Sequence, residues 1–70
     1  MLSQEELDQI EKLVDEHSLD DLLVGLSCIC SVKADHIRAS YQDNTTATTW
    51  DRATTIILQA QRRVKAECNV

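Results

Sequence analysis

The chain has 70 residues, a net charge of −5, one glycine and no proline. This length allows a single domain, and the scarcity of glycine and proline excludes a small β fold, which would need frequent tight turns. The longest apolar run is far too short for the about 20 residues that span a bilayer. The N-terminus is acidic, unlike a secretory signal, so we expect a cytoplasmic protein.

The first predicted helix covers residues 4–17. Ser3 and Glu6 stand at the spacing of a capping box, in which the serine hydroxyl and the glutamate carboxylate each bind a backbone N–H group. Apolar residues then recur at helical spacing, and acidic residues occupy the opposite face. The apolar positions are Leu7, Ile10, Leu13 and Val14.

The second predicted helix covers residues 19–42 and begins after Ser18, which is followed by Asp21 at capping distance. Its segment 22–32 is apolar almost all round, a pattern typical of a helix that is buried on every side. We therefore expect Leu26 to be buried and the substitution Leu26→Ala to cost about 2–5 kcal/mol of stability.

The third predicted helix covers residues 46–67, with Asp43 or Asn44 supplying its N-terminal cap. Its apolar stripe is widened by Ile56, whereas Leu58 lies off it. The stripe consists of Trp50, Ala53, Ile57, Ala60 and Val64.

These elements predict an all-α fold, a three-helix bundle with a short acidic helix 1 and long antiparallel helices 2 and 3. Helix 1 is too short to cover the apolar segment of helix 2, so we expect a homodimer formed through helices 2 and 3. A monomeric bundle with a few exposed leucine and valine side chains is the alternative. The candidate oligomer core consists of Leu22, Leu23, Leu26, Ile29 and Ile57.

Charge is distributed unevenly along the chain. Residues 1–21 contain eight acids and one base, a sum of −7, and residues 22–70 contain four acids and six bases, a sum of +2. The acidic helix could serve solubility and attract the basic end at residues 62–65, or it could dock on a basic protein surface. The extreme form of such docking would be mimicry of nucleic acid, with carboxylates in the places of phosphates. Direct nucleic-acid binding is not expected, because the chain lacks a basic footprint.

The sequence contains no arrangement that indicates catalysis, a cofactor or a metal. Cys28, Cys30 and His36 would face different directions on one helix, and their spacing does not fit a zinc site. No glycine elbow or oxyanion loop supports a cysteine nucleophile. With an odd number of cysteines and no secretory signal, we expect free, buried thiols and no enzymatic activity.

The densest polar cluster, from residue 36 to residue 52, surrounds the turn between helices 2 and 3. A structural interpretation has Tyr41 packed on Trp50 and both Arg38 and Arg52 paired with nearby acids. A functional interpretation makes the cluster a recognition patch, because Trp, Tyr and Arg dominate binding hot spots. The candidate partner-binding residues, counting helix 1, are Glu5, Glu6, Asp8, Glu11, His36, Arg38, Tyr41, Trp50 and Arg52.

The run from Cys30 to Asp43, followed by Trp50 and Ala53, resembles a group of short uncharacterised bacterial helical proteins. Members of this group read C-x-x-K-A-x-H-I-R-x-x-W-Q-D, and this chain has Tyr41 at the tryptophan position. The resemblance covers about the last 50 residues and implies a helical domain without adding a function. The sequence thus favours a module that docks on a partner protein, with an acidic inhibitor of a nucleic-acid-binding protein as the alternative.

Overall fold

The computed structural model describes residues 1–68, which form three α-helices and a short π-helix. Helix α1 covers Gln4–Glu16, α2 covers Leu19–Ser40, and α3 covers Asn44–Arg63. The π-helix at Val64–Cys68 continues α3 directly. The predicted all-α class and helix order are therefore confirmed, with α2 and α3 packed against each other as an antiparallel hairpin.

Serine caps begin the first two helices, as the sequence predicts. The Ser3 hydroxyl accepts a hydrogen bond from the Glu6 N–H at 3.2 Å, and the Glu6 carboxylate accepts one from the Ser3 N–H at 2.9 Å. Ser18 caps α2 by accepting from the Asp21 N–H at 3.2 Å. These bonds satisfy N–H groups that the helix itself cannot pair.

Three residues turn the chain between α2 and α3. Tyr41 closes α2, Gln42 has a positive φ of 52°, and Asp43 caps α3. The Asp43 carboxylate accepts from both the N–H and the hydroxyl of Thr46, at 3.1 and 2.7 Å. Because Asp43 is a strong cap, α3 begins at Asn44, two residues before the predicted start.

Small side chains form the seam between α2 and α3. The buried residues of the described chain are Ser27, Cys30, Ala34 and Ala47. Larger side chains, such as Trp50 and Ile57, lie half-buried along the margins of the seam. The Thr54 hydroxyl, held at 3.0 Å from the Trp50 carbonyl oxygen, also reaches the Ser27 carbonyl oxygen at 3.5 Å. Small residues at a contact let the two helix backbones approach closely.

Two expectations for the interior are wrong. Leu58 is half-buried, whereas Ile56 is 64% exposed on the outer side of α3. Among the cysteines, Cys30 is buried as expected, but Cys28 and Cys68 are exposed. Both errors have one cause, since apolar type alone does not say which of several adjacent helix faces meets the neighbouring helix.

Threonine hydroxyls in α3 bind the backbone of their own helix. Each donates to the carbonyl oxygen four residues earlier, at distances from 2.7 to 3.3 Å. The four donors are Thr48, Thr49, Thr54 and Thr55. This bonding supplies the threonines with a partner inside a helix for which they have low intrinsic propensity.

Helix α1 diverges from the hairpin. It contacts α2 and, among the described residues, makes no backbone approach to α3. The molecule measures 38 × 30 × 18 Å and has a radius of gyration of 14.0 Å, whereas a closely packed chain of 70 residues is expected to have about 11 Å. None of the described helices is both long and apolar enough to cross a membrane.

Candidate docking surfaces

Helix α1 carries an acidic face and an apolar face on opposite sides. Glu5, Asp8, Glu11 and Asp15 follow one another at three- or four-residue spacing and are exposed, so they share one side of the helix. On the other side Leu7 and Leu13 are exposed, and Ile10 and Val14 are half-buried. We call this element the acidic helix.

The acids of the acidic helix are not neutralised by bases from the rest of the described chain. Its ion pair joins Lys12 to Glu16 at 4.0 Å, within the helix. The basic end of the chain instead pairs locally, with Arg63 at 3.6 Å from Glu67. The expected attraction between helix 1 and residues 62–65 is thus not formed by α1 itself.

Two acids near this part of the chain are tied to helix caps. The Ser3 N–H and, second, the Ser3 hydroxyl lower the pKa of Glu6 by binding its carboxylate. The pKa of Asp20 is lowered chiefly by the Ser18 hydroxyl, which donates to its carboxylate at 2.7 Å, and to a smaller extent by Lys65. Glu6 therefore has a structural role in the cap, and Asp8 accepts a hydrogen bond from the Gln4 side-chain amide at 2.9 Å.

Part of the polar cluster at the turn is structural. Arg38 donates to Asp51 across the hairpin at 2.7 Å and lies 3.5 Å from Asp35. The Lys33 ammonium lies over the half-buried Trp50 ring, 5.6 Å from its centroid. These contacts join α2 to α3, so the predicted pairing of Arg38 is confirmed and Trp50 belongs to the hairpin.

The rest of the cluster is divided between two sides of the hairpin. The Tyr41 ring, 71% exposed, meets the His36 ring edge-on with centroids 5.9 Å apart, so its predicted packing on Trp50 is wrong. Arg52 lines a shallow depression with Asn44 and neighbouring threonines, and no ion pair within residues 1–68 includes it. The candidate residues at the turn therefore do not form one continuous patch.

The acidic helix and the turn belong to opposite ends of α2. This helix has 22 residues, so its ends are about 33 Å apart at a rise of 1.5 Å per residue. A single small partner would not contact both surfaces at once. The candidate partner-binding residues thus define two separate surfaces, of which the acidic helix has the higher charge.

A third surface is apolar and lies on the side of α2 that faces away from α3. Between α1 and α2 there is a groove of about 410 Å³, lined by Leu13 of α1, by its C-terminal cap His17, and by Asp21, Leu22, Val24 and Gly25 of α2. Further along α2, Ile29 and Val32 line a second depression of about 380 Å³ together with Cys28. Because α1 diverges, these side chains have no cover within the described chain.

The candidate oligomer core is distributed over both sides of α2 and over α3. Leu26 is 42% and Ile29 53% exposed, while Leu22, Leu23 and Ile57 are half-buried. The expectation that Leu26 is buried within one chain is therefore wrong. Sequence reasoning also missed Val32 and Gly25 as parts of the open face, because an all-round apolar helix does not reveal which side its own chain covers.

The described residues contain no group of three or more His, Cys, Asp or Glu side chains placed to hold a metal ion. Comparison of the chain with protein-family models, with curated proteins and with solved structures finds no match. The surfaces define a class of protein only: a small helical protein that exposes one acidic and one apolar surface.

Proposed function

We propose that this protein is a docking module that binds a partner protein through the acidic helix. The observation that supports this proposal is the divergence of α1, which leaves an amphipathic helix with exposed Leu7 and Leu13 on one side. An amphipathic helix is a common element of protein recognition, in which its apolar face enters a groove on the partner. The partner would supply the cover that the hairpin does not.

The charge of the acidic helix defines the chemistry of that partner. Residues 1–21 sum to −7, and α1 pairs only Lys12 with Glu16 among the ion pairs of the described residues. Such a surface attracts a basic protein and accelerates the encounter. We expect the partner to present lysine and arginine side chains around an apolar groove.

The proposal is tested by affinity capture from the lysate of the source cell, with bound protein and nucleic acid both identified. The test variant combines Glu5→Lys, Asp8→Lys and Glu11→Lys, and leaves Glu6 in place because it caps the helix. A neutral variant with Glu5→Gln, Asp8→Asn and Glu11→Gln keeps the side-chain sizes. Tyr41→Ala, at the other end of α2, is the matched control.

The expected result is one stoichiometric basic protein that binds the wild type and Tyr41→Ala, binds the neutral variant weakly and does not bind the reversed variant. Salt should release it, since exposed charges are screened beyond about 10 Å at 0.1 M salt. Retention by the reversed variant with loss in Tyr41→Ala would refute the proposal and assign docking to the turn. Circular dichroism must show equal helix content in all variants.

The uncompensated acids also favour a second function, inhibition of a nucleic-acid-binding protein by occupation of its phosphate-binding surface. The carboxylates would then occupy the places of phosphates, and captured protein would lose its nucleic acid. A competition assay with the captured partner separates the two functions. If added nucleic acid does not displace this protein, the acidic helix is a docking element without mimicry.

A further inference from the structure

We infer that this protein forms an isologous dimer through the outer face of α2, with the two α2 helices antiparallel and crossing near position 27. The outer face is centred on Gly25, Ile29 and Val32, which lie on the side of α2 opposite the buried Ser27, Cys30 and Ala34. Leu22 and Leu26 flank it. This inference does not rest on the function proposed for the acidic helix, although the two surfaces adjoin at the groove that Leu13 shares with Leu22 and Gly25.

The area of uncovered surface supports a stable interface. The chain exposes 5511 Å², which is about 1100 Å² more than the about 4400 Å² expected for a folded monomer of 7.9 kDa. This excess is shared between the diverging α1 and the outer face, and two copies need to bury only about half of it each to exceed the about 1,000 Å² in total at which specific interfaces begin. On the outer face, Val32 is 66% exposed, more than any other leucine, isoleucine or valine from Leu19 to Tyr41.

Gly25 provides a second and separate observation. It is the only glycine of the chain, and it lies in the interior of α2, where glycine is among the poorest helix formers. A Cβ atom at this position would meet nothing within 4 Å. The chain itself therefore gains nothing from the missing side chain, but a neighbouring molecule could approach the backbone closely at this point.

The outer face is complementary to itself. Ile29 lies one helical turn after Gly25, so both point to the same side of α2. In an antiparallel pair centred near position 27, Ile29 of each copy meets Gly25 of the other. An isologous interface requires such a reciprocal fit, and a large side chain packed into the gap above a small one is the ordinary form of helix contact.

Charge selects this face over the acidic helix as the site of self-association. The segment from Leu22 to Val32 contains no charged residue. The charges at its two ends, Asp21 and Lys33, line the two depressions and are opposite in sign, so in an antiparallel pair centred near position 27 they approach each other without repulsion. Two copies that met through α1 would instead bring two segments of charge −7 together. A second copy is therefore the occupant that fits the outer face, and a basic protein is the one that fits the acidic helix.

The test is sedimentation velocity of the full chain over a range of concentrations, with Gly25→Leu, Ile29→Lys and the control Ile56→Lys. Gly25→Leu should raise the dissociation constant of the dimer by about tenfold or more, the loss typical of a central interface residue. The same variant should unfold at an equal or higher temperature in dilute solution, because leucine is the better helix former.

Ile29→Lys should also give a monomer, whereas Ile56→Lys, on the exposed side of α3, should dimerise like the wild type. A wild-type chain that is monomeric at every concentration would overturn the inference and leave the outer face to a different protein. A dimer that survives Gly25→Leu and Ile29→Lys, or one that is lost in Ile56→Lys, would overturn it equally. These results do not depend on the capture experiments with the α1 variants.

Discussion

The seam between α2 and α3 makes the substitution Ala34→Leu the sharpest test of the fold. Ala34 is fully buried, as is Ala47 on the facing helix. Leucine would add three carbon atoms where the backbones approach closely, and overpacking of this kind costs about 1–3 kcal/mol. The free energy of unfolding of a 70-residue chain is only about 3.5–10 kcal/mol, so the loss is a large fraction of the total.

The loss is measured by thermal and urea unfolding followed by circular dichroism. At about 4–8 °C per kcal/mol for a domain of this size, we expect the melting temperature to fall by about 4–24 °C. Ala39→Leu, on the exposed side of the same helix, is the matched control and should change the free energy of unfolding by less than about 0.5 kcal/mol. If Ala34→Leu had the same melting temperature as the control variant, the close contact at the seam would be refuted.

Three further predictions concern stability and reactivity. Leu26→Ala should cost about 1–2 kcal/mol in dilute solution, because the side chain is 42% exposed and full burial of a leucine contributes about 1.5–3 kcal/mol; a cost above 3 kcal/mol there would contradict this exposure. At concentrations low enough to keep the chain monomeric, Ellman's reagent should modify Cys28 and Cys68 rapidly and Cys30 only on unfolding, and three equally fast thiols would contradict the burial of Cys30. Acid should destabilise the fold, since the hydrogen-bonded caps lower the pKa of three carboxylates below ordinary values of 4.5 and 3.8. The stability that these carboxylates contribute is fully present above their ordinary pKa values and is lost as the pH falls through their lowered pKa values in the folded protein. The melting temperature should therefore decrease below about pH 4.5. A variant with all three carboxylates replaced by amides should lose less melting temperature in acid than the wild type, and an equal loss in both would refute this prediction. The three carboxylates are Glu6, Asp20 and Asp43.

The helix starts were predictable from the sequence because a cap is a local interaction. Ser3 with Glu6, and Ser18 with Asp21, need only the residues three positions apart that the sequence displays. Asp43 was one of two candidates for α3, and the choice between it and Asn44 depends on the turn geometry at Gln42. Fold class followed from these local signals together with helical periodicity.

The buried face of α3 was predicted with a rotation of roughly 60° about the helix axis, as the 100° step per residue shows. The predicted stripe, which runs from Trp50 to Val64, was chosen mainly by the positions of large apolar residues. In the structure Ala47 and Thr54 lie at the seam instead, because small side chains allow close approach and the threonine hydroxyl finds a carbonyl partner. The types of residue in α3 do not by themselves show that small side chains lie at the contact with α2.

The separation of the candidate surfaces also lay beyond the sequence. The acidic face of α1 was evident from spacing, but its lack of ion pairs with the other helices of the described chain depends on the angle at which α1 leaves α2. Because α2 has apolar residues on every side, the sequence does not distinguish its covered face from its open face. The structure makes this distinction by placing Ser27 and Ala34 at the seam.

The threonine bonding in α3 changes how water meets that helix. On the sequence, Thr48, Thr49 and Thr55 add hydroxyl groups to an exposed surface, but each hydroxyl proton is already directed at a carbonyl oxygen of the same helix. The exposed surface of α3 therefore offers water fewer free hydroxyl donors than its threonine content suggests. A hydropathy scale, which counts every threonine as a fully hydrated alcohol, overstates the wettability of this side of the protein.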